Sequence, residues 1–198
     1  YYTTYVKALA AGEVDLAGVI SHRNNITVDG AGSVLDVAGV ISLAGTSVTV
    51  KSANSVTFGS ATSLTNVNLE ASEGAQILFP TLTSYTGYSS ADNTIQATGA
   101  GSRIDLSHLA TFYGGGEYDG GTFGGGWHYY TTYVKALAAG EVDLAGAISH
   151  RNNITVDGAG SVLGVAGITK LGGTVLTVNT PGTLTFSSAT EVTDSSLT

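Results

Sequence analysis

The sequence predicts an all-β chain wound into a right-handed parallel β-helix of eight coils, each of about 21 residues. Three observations carry that prediction. A long segment recurs at a fixed offset, a short apolar pattern recurs inside it, and no stretch sustains a 3.6-residue apolar stripe with helix caps. The long repeat is literal. Tyr1 to Gly18, YYTTYVKALAAGEVDLAG, returns unchanged as Tyr129 to Gly146, and Ile20 to Leu35 returns as Ile148 to Leu163. The offset is 128 residues without a gap, and identity decays beyond the first 35 positions. Residues 1–128 therefore read as one tandem unit and 129–198 as part of a second. A chain with no Met is expected to be an excerpt of a longer array.

Each coil of the unit is built from the same features in the same order. The first is an alternating apolar pair: Val6/Ala8, Ile26/Val28, Val48/Val50, Val67/Leu69 and Ile95/Ala97. Period-two alternation over a few residues, bounded by Gly, Asn and Ser, reads as a short strand. A small-residue turn follows, such as Gly30-Ala31-Gly32 or Gly99-Ala100-Gly101. Next comes an apolar-x-apolar triplet, a second strand: Val14-Asp15-Leu16, Leu35-Asp36-Val37, Val56-Thr57-Phe58, Ile77-Leu78-Phe79 and Ile104-Asp105-Leu106. The second unit continues it with Val142-Asp143-Leu144, Leu163-Gly164-Val165 and Leu184-Thr185-Phe186. Steps between triplets are 21, 21, 21, 27, 38, 21 and 21 residues, so regular coils are followed by two that carry insertions. Last is an apolar doublet at spacing three: Val40/Leu43, Ala61/Leu64, Leu82/Tyr85 and Leu109/Phe112.

Such a coil cannot bury its apolar face alone, but stacked coils share one core. Each inward side chain must then suit the residue one coil away, at about 4.8 Å. Leu16, Val37, Phe58, Phe79 and Leu106 satisfy that demand and are expected to share one inward column. The following positions, Ala17, Ala38, Gly59, Pro80 and Ser107, are small or turn-forming, as a tight corner requires. The right hand is expected because parallel crossovers overwhelmingly adopt it.

Composition fits the same picture and removes several functions. Charged residues make up 11% of the chain against about 25% in typical domains. Stacked like charges repel, whereas Ser, Thr and Asn ladders hydrogen-bond. A net charge of -8 with only 7 Lys and Arg excludes a phosphate-neutralising nucleic-acid surface. Zero Cys excludes disulfide frameworks, thiolate zinc sites and thiol catalysis. No apolar run reaches the ~18 residues of a membrane helix.

The longest insertion, Phe112 to Tyr133, holds 8 of the chain's 16 aromatic residues and 8 Gly. Aromatics on a Gly-rich loop suit assembly contacts, sugar stacking or packing on the rod's own flank. Phe112, Tyr113, Tyr118, Phe123, Trp127, His128, Tyr129 and Tyr130 are the candidate binding or assembly residues. Asp15, Asp36, Asp105 and Asp143 form a broken outward carboxylate column, read as a solvated acidic strip. No metal or other cofactor is expected. The nearest approach to a cation site is Glu13, Asp15 and Asp36, without the nonapeptide calcium signature.

The polar corner Ser21-His22-Arg23-Asn24-Asn25 recurs as Ser149-His150-Arg151-Asn152-Asn153 and reads as a turn whose Asn residues accept left-handed backbone. Asn25-Ile26-Thr27 and its repeat match the N-glycosylation triplet, a short pattern that occurs by chance. Lys51, Arg103 and Lys170 fall in different coils with no matching acidic cluster, which argues against polysaccharide cleavage. The column Ile20, Ile41, Thr62, Thr83, Ala110 is not a continuous Thr rank of the sort that binds ice.

The phrases SLTNVNLEASEGAQILFPTLTSYTG and IQATGAGSRIDLSHLATFYGG are similar to parts of large secreted repeat proteins of environmental bacteria. More broadly, the coils resemble β-helical regions of bacterial surface proteins, such as haemagglutinin-like adhesins and autotransporter passengers. That resemblance implies an extended rod outside the cell or on its surface, and it carries over no catalytic residue. The expectation is a structural, non-enzymatic segment of a fibre, stalk or adhesin shaft that self-associates and inserts in no membrane. The alternative is a carbohydrate-binding or carbohydrate-degrading β-helix, with surface glycans as partner.

Overall fold

The computed structural model describes residues 3–88, 91–119, 127–179, 184 and 186–198, with the backbone alone at 118, 119 and 127. Among these residues there is no helix, and eighteen strands form one sheet that pairs in parallel. The chain is a parallel β-solenoid of about eight turns. Each coil presents three strand positions, here faces A, B and C, separated by three corners.

Face A aligns Val6, Ile26, Val48, Leu69, Ile95, Val134, Ile154, Leu176 and Leu197 in successive coils. Face B pairs Val14 with Leu35, and further on Val56, Ile77, Ile104, Val142 and Leu163 in turn. Face C aligns Ile20, Leu43, Leu64, Tyr85, Phe112, Ile148, Leu171 and Val192. The triplet and doublet positions are thus the inward positions of faces B and C. One pair sits elsewhere. In coil 4 the inward pair of face A is Leu69 and Ala71, while Val67 pairs with Thr46 of the coil below. The strand Ser63–Ser72 runs from face C through the corner onto face A, with Asn66 at φ 52°. Its apolar run therefore starts one inward position early.

Val37, Phe58, Phe79 and Leu106 are all at most 1% exposed, and Leu16 is partly buried in the outermost coil. The ladder spacing dictates how rings in one column meet. Phe58 and Phe79 stack at 4.7 Å with planes 7° apart, and Tyr85 and Phe112 at 4.5 Å and 16°. Each such pair adds about 1 kcal/mol beyond area burial. Tyr85 is fully buried, and its hydroxyl donates to the Val67 carbonyl at 3.2 Å. Burial pushes that phenol well above its ordinary range.

The corner between faces A and B is held by a polar column. Ser33 Oγ donates to Asp29 O at 2.6 Å and accepts from Ala11 N in the previous coil at 3.2 Å. Asn54 Nδ2 reaches Gly30 O at 3.0 Å, and Ser102 Oγ accepts from Gly74 N at 2.9 Å. These side chains add bonds to the amides and carbonyls of the corners, so sharp turns stack with their backbone groups well satisfied.

Truncating Phe58 to Ala is expected to cost about 3–5 kcal/mol by leaving a void beside Phe79. Solenoid coupling is nearest-neighbour, so hydrogen exchange should accelerate in coils 2 to 4. Uniform acceleration along the rod would contradict this account.

Candidate functional site

Both insertions lie at one place, the corner between faces C and A. Between coils 4 and 5 the chain leaves face C after Thr86 and resumes on face A at Asn93, and between coils 5 and 6 it leaves after Tyr113 and resumes at Thr132. The insertions bond to each other and to the coils beside them: Thr131 N donates to Asp92 Oδ1 at 2.8 Å, and Gly87 N to Tyr113 O at 2.7 Å. Beneath the corner runs a second polar column, in which Thr46, Asn93, Thr132, Asn152 and Thr174 are all buried. Each holds a corner group. Asn152 Nδ2 donates to Ser149 O at 3.0 Å, Thr174 Oγ1 to Gly172 O at 3.0 Å, and Thr132 Oγ1 to Gly114 O at 2.5 Å.

This column corrects the expected role of the repeated corner. The left-handed residues are His22 and Arg23 (φ 64° and 42°) and their equivalents His150 and Arg151 (57° and 44°). Asn24 and Asn152 are instead the first residues of strands Asn24–Asp29 and Asn152–Asp157. Their amides donate back across the turn, to Ser21 O and Ser149 O.

The long insertion starts and ends as an antiparallel hairpin, Glu117–Asp119 paired with Trp127–Tyr129. Its base crosses directly over the coil-6 corner, where Gly114 N and Gly115 N donate to the carbonyls of Ser149 and His150 at 2.9 and 3.0 Å. A Cβ at Gly114 would overlap the His150 carbonyl and the Asn152 side chain, and one at Gly115 would overlap Tyr130. Only glycine fits this approach. Tyr113 stacks on the His150 ring at 4.1 Å, Arg151 lies 3.8 Å over the Tyr129 ring, and Glu117 meets Arg151 at 3.9 Å.

The candidate binding residues therefore divide. Phe112 is a correction: at 1% exposed and stacked on Tyr85, it is a core residue and no surface contact. Tyr113 and Tyr129 are exposed on one side, with His150 and Arg151 packed on the other. His128 is exposed, and Tyr130 is half-buried with its amide donating to Gly116 O. The side chains of Tyr118 and Trp127, and Phe123 entirely, lie outside the described residues.

Read from the sequence, Arg103 stands apart from any acidic cluster. The structure corrects this. Coil 6 lies directly on coil 5, so Arg103 pairs with Glu141 and Asp105 with Asp143. The guanidinium reaches Asp143 at 2.5 Å, Asp105 at 3.0 Å and Glu141 at 3.3 Å. The 38-residue step between triplets hides this neighbourhood in the sequence. Burial pulls the Arg103 pKa down, but the Asp143 hydrogen bond and the surrounding carboxylates more than offset it, leaving it raised. Burial also lifts Asp105, yet its bonds to Ser107 and the Arg103 charge hold it below the usual carboxylate range. Glu141 is raised, by burial first and then by the Asp143 charge, against Arg103.

Glu13, Asp15 and Asp36 are exposed, and Asp36 Oδ1 accepts from Ala38 N at 2.9 Å. Among the described residues no group of three or more His, Asp or Glu side chains is arranged to hold a metal ion. Shallow depressions flank the corner. One of about 480 Å³ is bordered by Glu117, Tyr133, His150 and Arg151. Face A carries an open groove of about 320 Å³ lined by Ser47, Thr49, Asn68, Glu70, Thr94 and Gln96. No protein-family model matches this sequence, and comparison with curated proteins and with solved structures finds no match.

Replacing Arg103 with Gln is expected to cost about 1.5 kcal/mol, the low end for hydrogen bonds to charged groups, since the site is a third exposed. The two shifted carboxyls give opposite pH signs. The Asp105 contribution is present above the ordinary Asp pKa of about 3.9 and is lost as pH falls through its lower folded value. The Glu141 contribution is present below about 4.3 and is lost as pH rises through its higher folded value. Urea unfolding of Asp105→Asn and Glu141→Gln between pH 3 and 7 should therefore show differences from the parent that change in opposite directions. Parallel changes would refute the assigned shifts.

Proposed function

We propose that the chain is a structural, non-catalytic segment of an extracellular tandem-repeat β-helix protein, a fibre, stalk or adhesin shaft at a bacterial surface. The junction between units carries the reading. Coil 6 begins the second copy, yet it continues the ladder with Val134 on Ile95, Val142 on Ile104, Leu144 on Leu106 and Ile148 on Phe112. Among the described residues the ladder passes from coil 5 to coil 6 unbroken on all three faces. The 18-residue insertion leaves the column at a corner and returns in register, so units add as rigid length. Self-association along the rod axis is the partner contact that this architecture favours.

A second reading has one specific observation behind it. Arg103, Asp105, Glu141 and Asp143 bring a guanidinium and three carboxylates onto one face, the kit of polysaccharide-cleaving β-helices. Against that role, the Nε and Nη2 atoms of the guanidinium are already engaged by the three carboxylates. The groove on face A, with its hydroxyl and amide lining, is a better place for a glycan.

Chains lengthened by one, two and three copies of residues 1–128 decide between these readings. Each copy holds five coils, so small-angle scattering should show the maximum dimension growing by about 24 Å per unit at ~4.8 Å per coil. Flexible bead-like profiles would overturn the shaft. Saturable glycan binding, or release of reducing ends from polysaccharide by the parent chain, would put the second reading first.

A further inference from the structure

The ladder of face A sets the outward side chains of successive coils in rows along the rod. One row runs Ser47, Asn68, Thr94, Tyr133, Asn153 and Val175 through coils 3 to 8. The groove of about 320 Å³ lies on its first three members, and the depression of about 480 Å³ lies on its last three. Two hollows far apart in the sequence are thus consecutive lengths of one track in the middle of the rod. Ser47, Thr49 and Thr94 are short, which leaves the first hollow open, and Asn68 and Gln96 border it with amides. These groups are held in place. Asn68 Nδ2 donates to Ser47 Oγ at 3.3 Å, and its Oδ1 accepts from Thr94 N at 2.7 Å. Gln96 Nε2 donates to Thr98 Oγ1 at 3.1 Å. Tyr133 is half-buried between the two hollows and is the aromatic residue of the row in these coils. Charges along the track cancel. Two residues further along each strand, the parallel row carries one carboxylate, Glu70, and one ammonium, Lys135. At the corner edge Glu117 faces Arg151 at 3.9 Å.

We propose that face A from coil 3 to coil 8 is a binding track for a neutral polysaccharide laid along the rod axis, with Tyr133 as the platform for one sugar ring. Hydroxyl and amide side chains both donate and accept hydrogen bonds, which is what the hydroxyls of a sugar require. An aromatic ring offers an apolar face to the C–H face of a pyranose and a polar tip to its edge. Groups already fixed by their neighbours lose little freedom when a ligand arrives. The charge balance selects the kind of polymer. A uronate or sulfated chain would meet no net positive charge on the track, and would approach a protein of net charge -8. Five rises of about 4.8 Å give the track a length of about 24 Å, so it fits a run of sugars and not a single one. The proposal rests on the carbohydrate-binding reading and gives that reading its site.

The test uses the full chain in affinity gel electrophoresis against soluble glucans, mannans, xylans and galactans, with polygalacturonate and alginate as acidic counterparts. At least one neutral polymer should retard the chain more than either acidic one. Calorimetric titration with oligosaccharides of that polymer should show affinity rising with their length. Tyr133→Ala should weaken binding by about tenfold. Thr49→Lys places a long cationic side chain in the first hollow and should weaken it by at least as much. Thr57→Lys, the same change at an exposed position on face B, should leave binding as it is. Thermal unfolding checks that the variants keep the fold. Thr49→Lys, at an outward position, carries the test alone should Tyr133→Ala unfold early. Stronger retardation by an acidic polymer, or equal loss from Thr49→Lys and Thr57→Lys, overturns the track. Binding indifferent to both face A variants also overturns it and leaves the carbohydrate-binding reading standing. Absence of binding to every polymer removes both.

Discussion

Everything in this molecule depends on the hydrogen-bonded ladder that sets each coil about 4.8 Å above the last. At that spacing a side chain's most important neighbour is the residue at the same place in the next coil, some 20 to 39 positions away. Apolar columns fill the interior because every inward residue can be matched by another. The flat stacking of Phe58 on Phe79, with centroids 4.7 Å apart, matches the same spacing. Among the described residues the buried polar side chains lie under corners, where Ser33, Asn54, Thr46 and Asn152 add hydrogen bonds to backbone carbonyls of the turns. Low charge is a consequence too. Asp105 stacks on Asp143 with Arg103 from the neighbouring position joining them, whereas Asp15 stacks on Asp36 with both carboxylates exposed to solvent.

The near-identical segments 4–20 and 132–148 show how far burial is a property of neighbours rather than of sequence. The same valines and leucine are core residues in one coil and half-covered in the other. The junction between units is also more than a continuation of the ladder. A salt-bridged cluster on face B and a hairpin base laid over His150 and Arg151 join it from two sides of the coil. These features occur where one unit meets the next, so the seam between copies is marked chemically as well as by repetition.

Much of the fold is legible in the sequence because a solenoid writes its contacts as periods. The triplets on face B and the doublets on face C fall on their structural positions, including those across the 27- and 38-residue steps. What escapes is whatever depends on the corners. Val67 alternates correctly with Leu69, yet it belongs to the corner column, because a strand running through a corner keeps its alternation while its reference position shifts. The Asn pair looks turn-forming, but the backbone strain falls on His and Arg, and Asn24 and Asn152 serve from the strand start through their amides. Arg103 and Asp143 stand 40 residues apart, beyond any local motif. Tracking the triplet register across the insertion does place Asp105 beside Asp143, and that signal suffices to find the cluster.

Both insertions leave the column at a single corner and rejoin it without adding a coil. The rise of the rod therefore counts coils and is blind to residues. Sequence can be gained or lost at that edge while the distance and angular phase between successive units stay the same. The corner becomes a stripe of variable decoration along one side of an invariant ruler. A lineage could rewrite what the stripe displays, loop by loop, without re-engineering the spacing at which it is displayed.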